Sequence, residues 1–222
     1  MQMPTITIDE NFKSAWPATH MGCLCYSVDV YPKNQDLWDL YENTFAPLLE
    51  QKLAGTALPD MPNIAMARAA YKSFGVDPGR HRISSEALYR RVRQGKALYQ
   101  INSLVDANNL VSLETGFSLG SYDAAHIGQK IVLRLGRQGE SYAGIGKSDM
   151  TLENMPVLAD DAGPFGSPTS DSTRAMITGD TKKAITVMYS FSGLEALTEN
   201  LDLAKHYFKC YACVEEPFVT II

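Results

Sequence analysis

The sequence predicts one α+β domain, an α/β sandwich, on three observations. Apolar residues recur at helical spacing through the first half of the chain. From Ile131 onward they come in short runs broken by glycine and proline. No internal repeat, low-complexity tract or linker-like stretch divides the two halves. With 222 residues, 45% of them hydrophobic and 20% charged, the chain is long enough to bury a real core. A single domain over residues 1–222 therefore needs no disulfide or metal staple.

The first half opens on a short strand from Thr5 to Ile8 and a stronger one from Met21 to Tyr31. A long amphipathic helix begins near Asn34, where Leu37, Leu40, Tyr41, Phe45, Leu48 and Leu49 form one buried stripe. Pro47 has no amide hydrogen to give, so it is expected to kink that helix or end its first part. A second helix, Asn63 to Phe74, stops at Gly75, and Pro78 prevents a restart. Two more follow, from Ser84 to Gln94 and from Ile101 to Glu114. Beyond Ile131 the runs IVLRLG, SYAGIG, PVLADD and AITVMYSF read as strands and turns. A last helix opens at Ser192 in a capping-box pattern with Glu195 and runs to Tyr207 before a final strand.

A net charge of −5 excludes a surface coated with phosphate-binding lysines, so any polynucleotide contact must be local. The stretch from Arg80 to Lys96 is where basic residues cluster. The opening MQMPTITIDENFK lacks the basic start and apolar run of a secretory signal, and no apolar stretch approaches the roughly 20 residues that span a bilayer. The expectation is a soluble, cytoplasmic protein. There Cys23, Cys25, Cys210 and Cys213 are read as thiols. Their CxC and CxxC spacing suggests zinc, but both pairs fall in β-like runs, CLCYSVDV and KCYACVEE, without a neighbouring histidine. Small buried hydrophobes on strands are the favoured reading, and no metal is expected. P-loop, dinucleotide, GxSxG and HExxH patterns are absent, so no cofactor is expected, and His20, His81, His126 and His206 are scattered.

Three stretches could carry chemistry. In the helix from Ser84, the spacing puts Ile83, Ala87, Leu88 and Val92 toward the core and Glu86, Arg90 and Arg93 on the other side. That is either a solvated face with a Glu86–Arg90 pair, or an anion site built from Arg82, Arg90, Arg91 and Arg93, whose planar forks suit phosphate and carboxylate. In the next helix Asn102, Asp106 and Asn109 stand at i, i+4 and i+7, where a solvated face would carry Lys and Glu. They read as a hydrogen-bonded scaffold for a neighbouring loop or as direct ligand contacts. The loop LADDAGPFGSPTSDSTR offers Asp160, Asp161, Ser170, Asp171, Ser172, Thr173 and Arg174 around Gly163 and Gly166. It is either an irregular turn with local caps or a cradle that presents backbone amides and hydroxyls to a polar ligand.

Taken in series, GVDPGRHRISSEALYRRVRQG, INSLVDANNLVSLETG, YDAAHIG and LADDAGPF resemble the B3/B4 editing module of the phenylalanyl-tRNA synthetase β subunit. The resemblance covers Ala70 to Thr181. Asn102, Val105, Asp106, Asn109, Glu114, Gly116, Tyr122 and Asp123 occupy the family's motif positions. It implies a three-layer sandwich of the B3/B4 type and a partner in tRNA or aminoacyl-tRNA. It also implies a pocket for the amino-acid moiety in which a wrongly attached tyrosine is hydrolysed from its tRNA. The family's pocket histidine stands two positions before the aromatic-aspartate pair, where this chain has Gly120, and a later Thr-x-Ala element has no counterpart. An editing activity here would use other groups. Asp171 or Asp160 would orient water or the substrate amine, amides around Gly163 to Gly166 would hold the ester oxygen, and Arg82, Arg90 and Arg174 would hold the terminal adenosine phosphates. A non-catalytic module that binds tRNA or an amino acid is the alternative.

Overall fold

The computed structural model describes residues 3–146 and 149–222. Strands β1 (Thr5–Ile8), β4 (Lys130–Leu135), β7 (Pro156–Asp160) and β8 (Gly163–Gly166) form one sheet in the order β1-β4-β7-β8. Strands β2 (His20–Ser27), β3 (Ser118–Asp123), β9 (Lys183–Ser190) and β10 (Phe218–Ile221) form a second, antiparallel sheet in the order β10-β2-β9-β3. A small hairpin, β5 (Ser141–Ala143) with β6 (Asp149–Thr151), stands apart. The fold is α+β in three layers. Helices α6 (Ser103–Thr115) and α7 (Leu194–Tyr211) pack on each other and cover the second sheet, while the inner face of that sheet meets the first.

The pleat sorts the second sheet's residues. Gly120 pairs with Val187 and Tyr122 with Ile185, so Gly120, Tyr122, Val187 and Tyr189 look toward the first sheet. Ser121 and Thr186 look toward the helices, where Ser121 Oγ donates to Asn108 Oδ1 on α6 at 3.0 Å. Gly22 of β2 is where α7 comes closest, since a Cβ there would sit 2.4 Å from Leu201 Cδ2.

The helical elements follow local chemistry. Helices α2 (Gln35–Leu40) and α3 (Ala46–Leu53) are joined by a single π turn, Tyr41–Phe45. Pro47 is the cause: without its amide hydrogen the ladder slips, and the Ala46 amide reaches back to Tyr41 O. Helix α4 (Pro62–Ser73) ends at Gly75, whose φ is +79°. Helix α5 spans Ser84–Arg93. Asn102 caps α6 by accepting from the Val105 amide, and Gly116 ends it at φ +78°.

Several expectations are corrected. Helix α1 (Glu10–Ala15) and strand β3 were not anticipated from the spacing; Asp9 caps α1 by accepting from the Asn11 and Phe12 amides. The Ser192–Glu195 capping box does not form, because Ser192 Oγ donates to Asn63 Oδ1 at 2.9 Å and Gly193 stands at the cap. Helix α5 buries Ser85, Glu86, Tyr89 and Val92 and exposes Ala87, so its face is rotated from the expected one. The reason is non-local: Arg68 of α4 donates to Glu86 Oε2 at 2.9 Å and neutralises a carboxylate only 2% exposed. Cys23 and Cys25 are buried on β2, but Cys210 and Cys213 lie at the exposed end of α7, with His206 Nδ1 3.8 Å from Cys210 Sγ. Among the described residues, no helix is long and apolar enough to cross a membrane.

Asp106 holds the start of α6 against α2. It accepts from Trp38 Nε1 at 3.0 Å and from the Ile101 amide at 2.9 Å. Burial pushes its carboxyl up, opposed by those two donors. Replacing Asp106 with Ala leaves the buried Trp38 Nε1 and the half-buried Ile101 amide without a partner and is expected to destabilise the fold by about 3 kcal/mol. Urea unfolding measures this, and a loss under about 1 kcal/mol would contradict the assignment.

Candidate functional site

The inter-sheet space holds a cluster of tyrosines around one carboxylate. Tyr122 reaches back over its own strand toward Gly120, and its hydroxyl donates to Asp171 Oδ1 at 2.8 Å and lies 2.7 Å from Tyr189 Oη. Two glycines make room for that phenol. A Cβ on Gly120 would sit 2.0 Å from the Tyr122 hydroxyl oxygen, and one on Gly166 2.3 Å from it. Phe165 of β8 meets the Tyr122 ring edge-on, with centroids 5.0 Å apart.

Asp171 is held by one oxygen. Oδ1 accepts from Tyr122 and from the Ser167 amide at 3.1 Å. Among the described residues Oδ2 accepts no hydrogen bond, and Asp171 as a whole is half-buried. Burial pushes the Asp171 carboxyl up to about 6, and the Tyr122 hydroxyl and Ser167 amide pull it partly back. The same burial, with the Asp171 charge beside them, pushes the Tyr122 and Tyr189 phenols well above their usual range. Nearby, Tyr142 donates to Ser170 O at 2.5 Å, and Tyr71 Oη lies 2.9 Å from Thr169 Oγ1.

Thr169 links this cluster to an open cleft of about 760 Å³, whose lining includes Arg80, His81 and Arg82 as well as Asp77, Asp149 and Glu153. The remaining residues singled out from sequence are distributed more widely. Asp160 and Arg174 are engaged with each other: Nη1 and Nη2 donate to the two carboxylate oxygens at 3.0 and 2.9 Å. Arg174 also donates to Gly163 O and His126 O, and Asp160 accepts from the Gly128 and Ala162 amides. Burial alone would raise Asp160, but Arg174 and those amides outweigh it and hold the carboxyl below its usual range. This pair locks the loop and leaves neither group free for water or phosphate. Gly163 to Gly166 is strand β8, paired with β7, and not an open nest of amides.

The arginine group also divides. Arg82 lines the cleft, Arg90 Nε lies 3.9 Å from Glu86 without a hydrogen bond, and Arg91 stacks over Tyr99 at the far end of α5. Asn102 and Asp106 are scaffold, as described above. The buried amide on that helix is Asn108, which accepts from Ser121; Asn109 makes no side-chain hydrogen bond among the described residues. Asp123 accepts from Thr181 Oγ1 at 2.8 Å and from the Ala125 amide, capping a short turn. Tyr71, Tyr142, Ser167, Thr169 and Tyr189 were missed from sequence. The available signal was the pair of glycines, Gly120 and Gly166, which vacate space for a neighbour.

These features define a three-layer α+β domain whose polar site is a half-buried loop carboxylate hydrogen-bonded to a tyrosine between two sheets. The chain belongs to the B3/4 domain family, whose pattern matches residues 66–205. It is 40% identical over 67 residues to the phenylalanine–tRNA ligase beta subunit of Cutibacterium acnes, a match covering 30% of this chain and 8% of that protein. It is 29% identical over 131 residues to that of Clostridium tetani, covering 55% and 16%. It is 33% identical over 104 residues to that of Symbiobacterium thermophilum, covering 46% and 11%. The chain thus spans a small part of each of these relatives. The crystal structure of an N-terminal fragment of the phenylalanyl-tRNA synthetase beta-subunit from Pyrococcus horikoshii aligns with 99% of this chain and 52% of its own, at TM-score 0.47 and 16% identity.

The close fit around the phenol has a measurable consequence. Gly120→Ala is expected to cost about 2 kcal/mol with Tyr122 present, because a methyl cannot share that volume. In a Tyr122→Ala background the same change is expected to cost under about 1 kcal/mol, a coupling that a double-mutant cycle reads directly. Equal costs in the two backgrounds would contradict the packing.

Proposed function

We propose that this is a tRNA-associated domain that hydrolyses a mischarged aminoacyl ester in trans. The carrying observation is Asp171: one oxygen fixed by Tyr122 and Ser167, the other accepting no hydrogen bond among the described residues, in a carboxyl raised to about 6. Such a group is ionised at neutral pH yet basic enough to accept a proton, which is what a general base requires. In the reaction Asp171 Oδ2 takes a proton from water as the water oxygen bonds to the ester carbonyl carbon. The bond from that carbon to the ribose oxygen then breaks, and the ribose oxygen receives the proton held by Asp171. The products are a free amino acid and an uncharged tRNA end. An aminoacyl ester is already activated, so positioned water with an oxyanion site suffices and no covalent nucleophile is needed.

The amides of Ser170 and Asp171 support that role, since among the described residues neither donates to a protein acceptor. In this reading they hold the developing oxyanion, in place of amides around Gly163 to Gly166. Arg80 and Arg82 on the cleft wall hold the terminal phosphate. A second reading, a binding module without turnover, is favoured by one observation: Gly120 stands where the family's motif carries a histidine, and the Tyr122 phenol fills that space.

The test is amino-acid release from a panel of correctly and incorrectly charged tRNAs. Selective release is expected, with a rate that climbs as pH rises through about 6, because the working form of Asp171 is the carboxylate. Asp171→Asn is expected to lower the rate by roughly 10²–10⁴-fold and to abolish the acid limb. Undiminished release by Asp171→Asn would remove Asp171 from the mechanism. Saturable tRNA binding with no release by the wild type would establish the binding module instead.

A further inference from the structure

A second site lies at the far end of α5, away from the cleft. The Arg91 guanidinium carbon stands 3.8 Å from the centroid of the Tyr99 ring, and Arg91 Nε donates to Ala97 O at 2.5 Å. The arginine is therefore held over the ring by its inner nitrogen, while among the described residues its two terminal nitrogens make no hydrogen bond. Tyr99 is 62% exposed, which leaves the rest of its ring open to solvent. The turn beneath is well anchored. Gly95 takes φ +63°, its amide returns to Val92 O, the Lys96 amide returns to Arg91 O, and Leu98 is buried. Arg93 and Lys96 are exposed on the same turn.

A solvated cation has no need of this arrangement, since an arginine on a polar surface ordinarily keeps its freedom. Here the rotamer entropy is already lost, and what remains is a planar donor fork beside an open aromatic surface. A fork of that kind suits a phosphate, and an open ring suits a base. The two parts stand side by side in one rigid turn, as phosphate and base do in one nucleotide.

The geometry points to the Arg91–Tyr99 pair as a docking site for one unpaired nucleotide of a bound RNA strand, with the base stacked on Tyr99 and a phosphate on the Arg91 fork. This deepens the tRNA reading given above and rests on it for the identity of the RNA. Glu42 and Glu50 line the groove beyond Leu98, so the strand crosses the end of α5 and does not lie along that groove. With a net charge of −5, a contact of this kind supplies affinity through stacking and the local cations Arg91, Arg93 and Lys96 instead of a broad basic face.

The test is binding of uncharged tRNA and of a labelled single-stranded RNA dodecamer, measured by fluorescence anisotropy for the wild type, Tyr99→Ala, Tyr99→Trp and Arg91→Lys. Tyr99→Ala is expected to weaken both complexes about tenfold or more, the loss of one stacked base. Tyr99→Trp keeps the affinity, and Arg91→Lys loses part of it because an ammonium has no fork. Because Tyr99 is exposed, its replacement leaves the melting temperature unchanged and the loss cannot be assigned to unfolding. Equal affinity in Tyr99→Ala, or no RNA binding by the wild type, would overturn the proposal. Affinity that depends on Tyr99 with no ester hydrolysis by the wild type would refute the hydrolase and leave this site standing. Hydrolysis by the wild type with affinity indifferent to Tyr99 would do the reverse.

Discussion

The phenol of Tyr122 is the contact on which the arrangement of the site depends. It starts on β3 in one sheet, passes between two glycines that belong to different sheets, and ends on the carboxylate of a loop outside both. Three parts of the fold with no sequence adjacency are thereby set relative to one another. The requirement is steric before it is electrostatic: without side chains at Gly120 and Gly166 the ring fits, and once it fits the hydroxyl has Asp171 and Tyr189 within reach. The protein has given up a side chain at position 120 and gained a buried donor aimed at a carboxylate.

The rest of the loop is tied down on both sides of Asp171. The bidentate Asp160–Arg174 pair, with Phe165 packed beneath the guanidinium, closes the loop at its base. The Ile145 amide holds the Asp171 carbonyl from the opposite side, and Tyr142 holds that of Ser170. The two carboxylates are thus separated by environment. Asp160 is paired with a guanidinium and kept ionised, and Asp171, desolvated without such a partner, is made more basic. Two carboxylates that look interchangeable in the sequence differ because one faces a guanidinium and the other a phenol.

What was legible in the sequence was local. The stop of α4 at Gly75, the interruption of the long helix by Pro47 and the cap of α6 at Asn102 each follow from one residue's backbone chemistry, and the structure carries all three. The misreadings were caused by partners far away in the chain. Glu86 looks like a surface charge until Arg68 arrives from another helix. Ser192 looks like a cap until Asn63 takes its hydroxyl. Arg174 looks free until Asp160 closes on it. The candidate site was legible in the same partial way: the loop stood out by composition, with Asp160 and Asp171 alike, whereas Tyr71, Tyr142 and Tyr189 looked like ordinary strand and helix aromatics. Only the missing side chains at Gly120 and Gly166 hinted that something large occupied the space between the sheets.

The central claim of the proposed function is that a half-buried carboxylate, oriented by a phenol, is the working group of this domain. The most direct measurement is the titration of the Asp171 side-chain carbon by NMR in the wild type and in Tyr122→Phe. The account predicts a midpoint near 6 in the wild type and a higher one in Tyr122→Phe, since the lost hydrogen bond had favoured the ionised form. A wild-type midpoint at the ordinary aspartate value of about 4, unmoved by Tyr122→Phe, would contradict it.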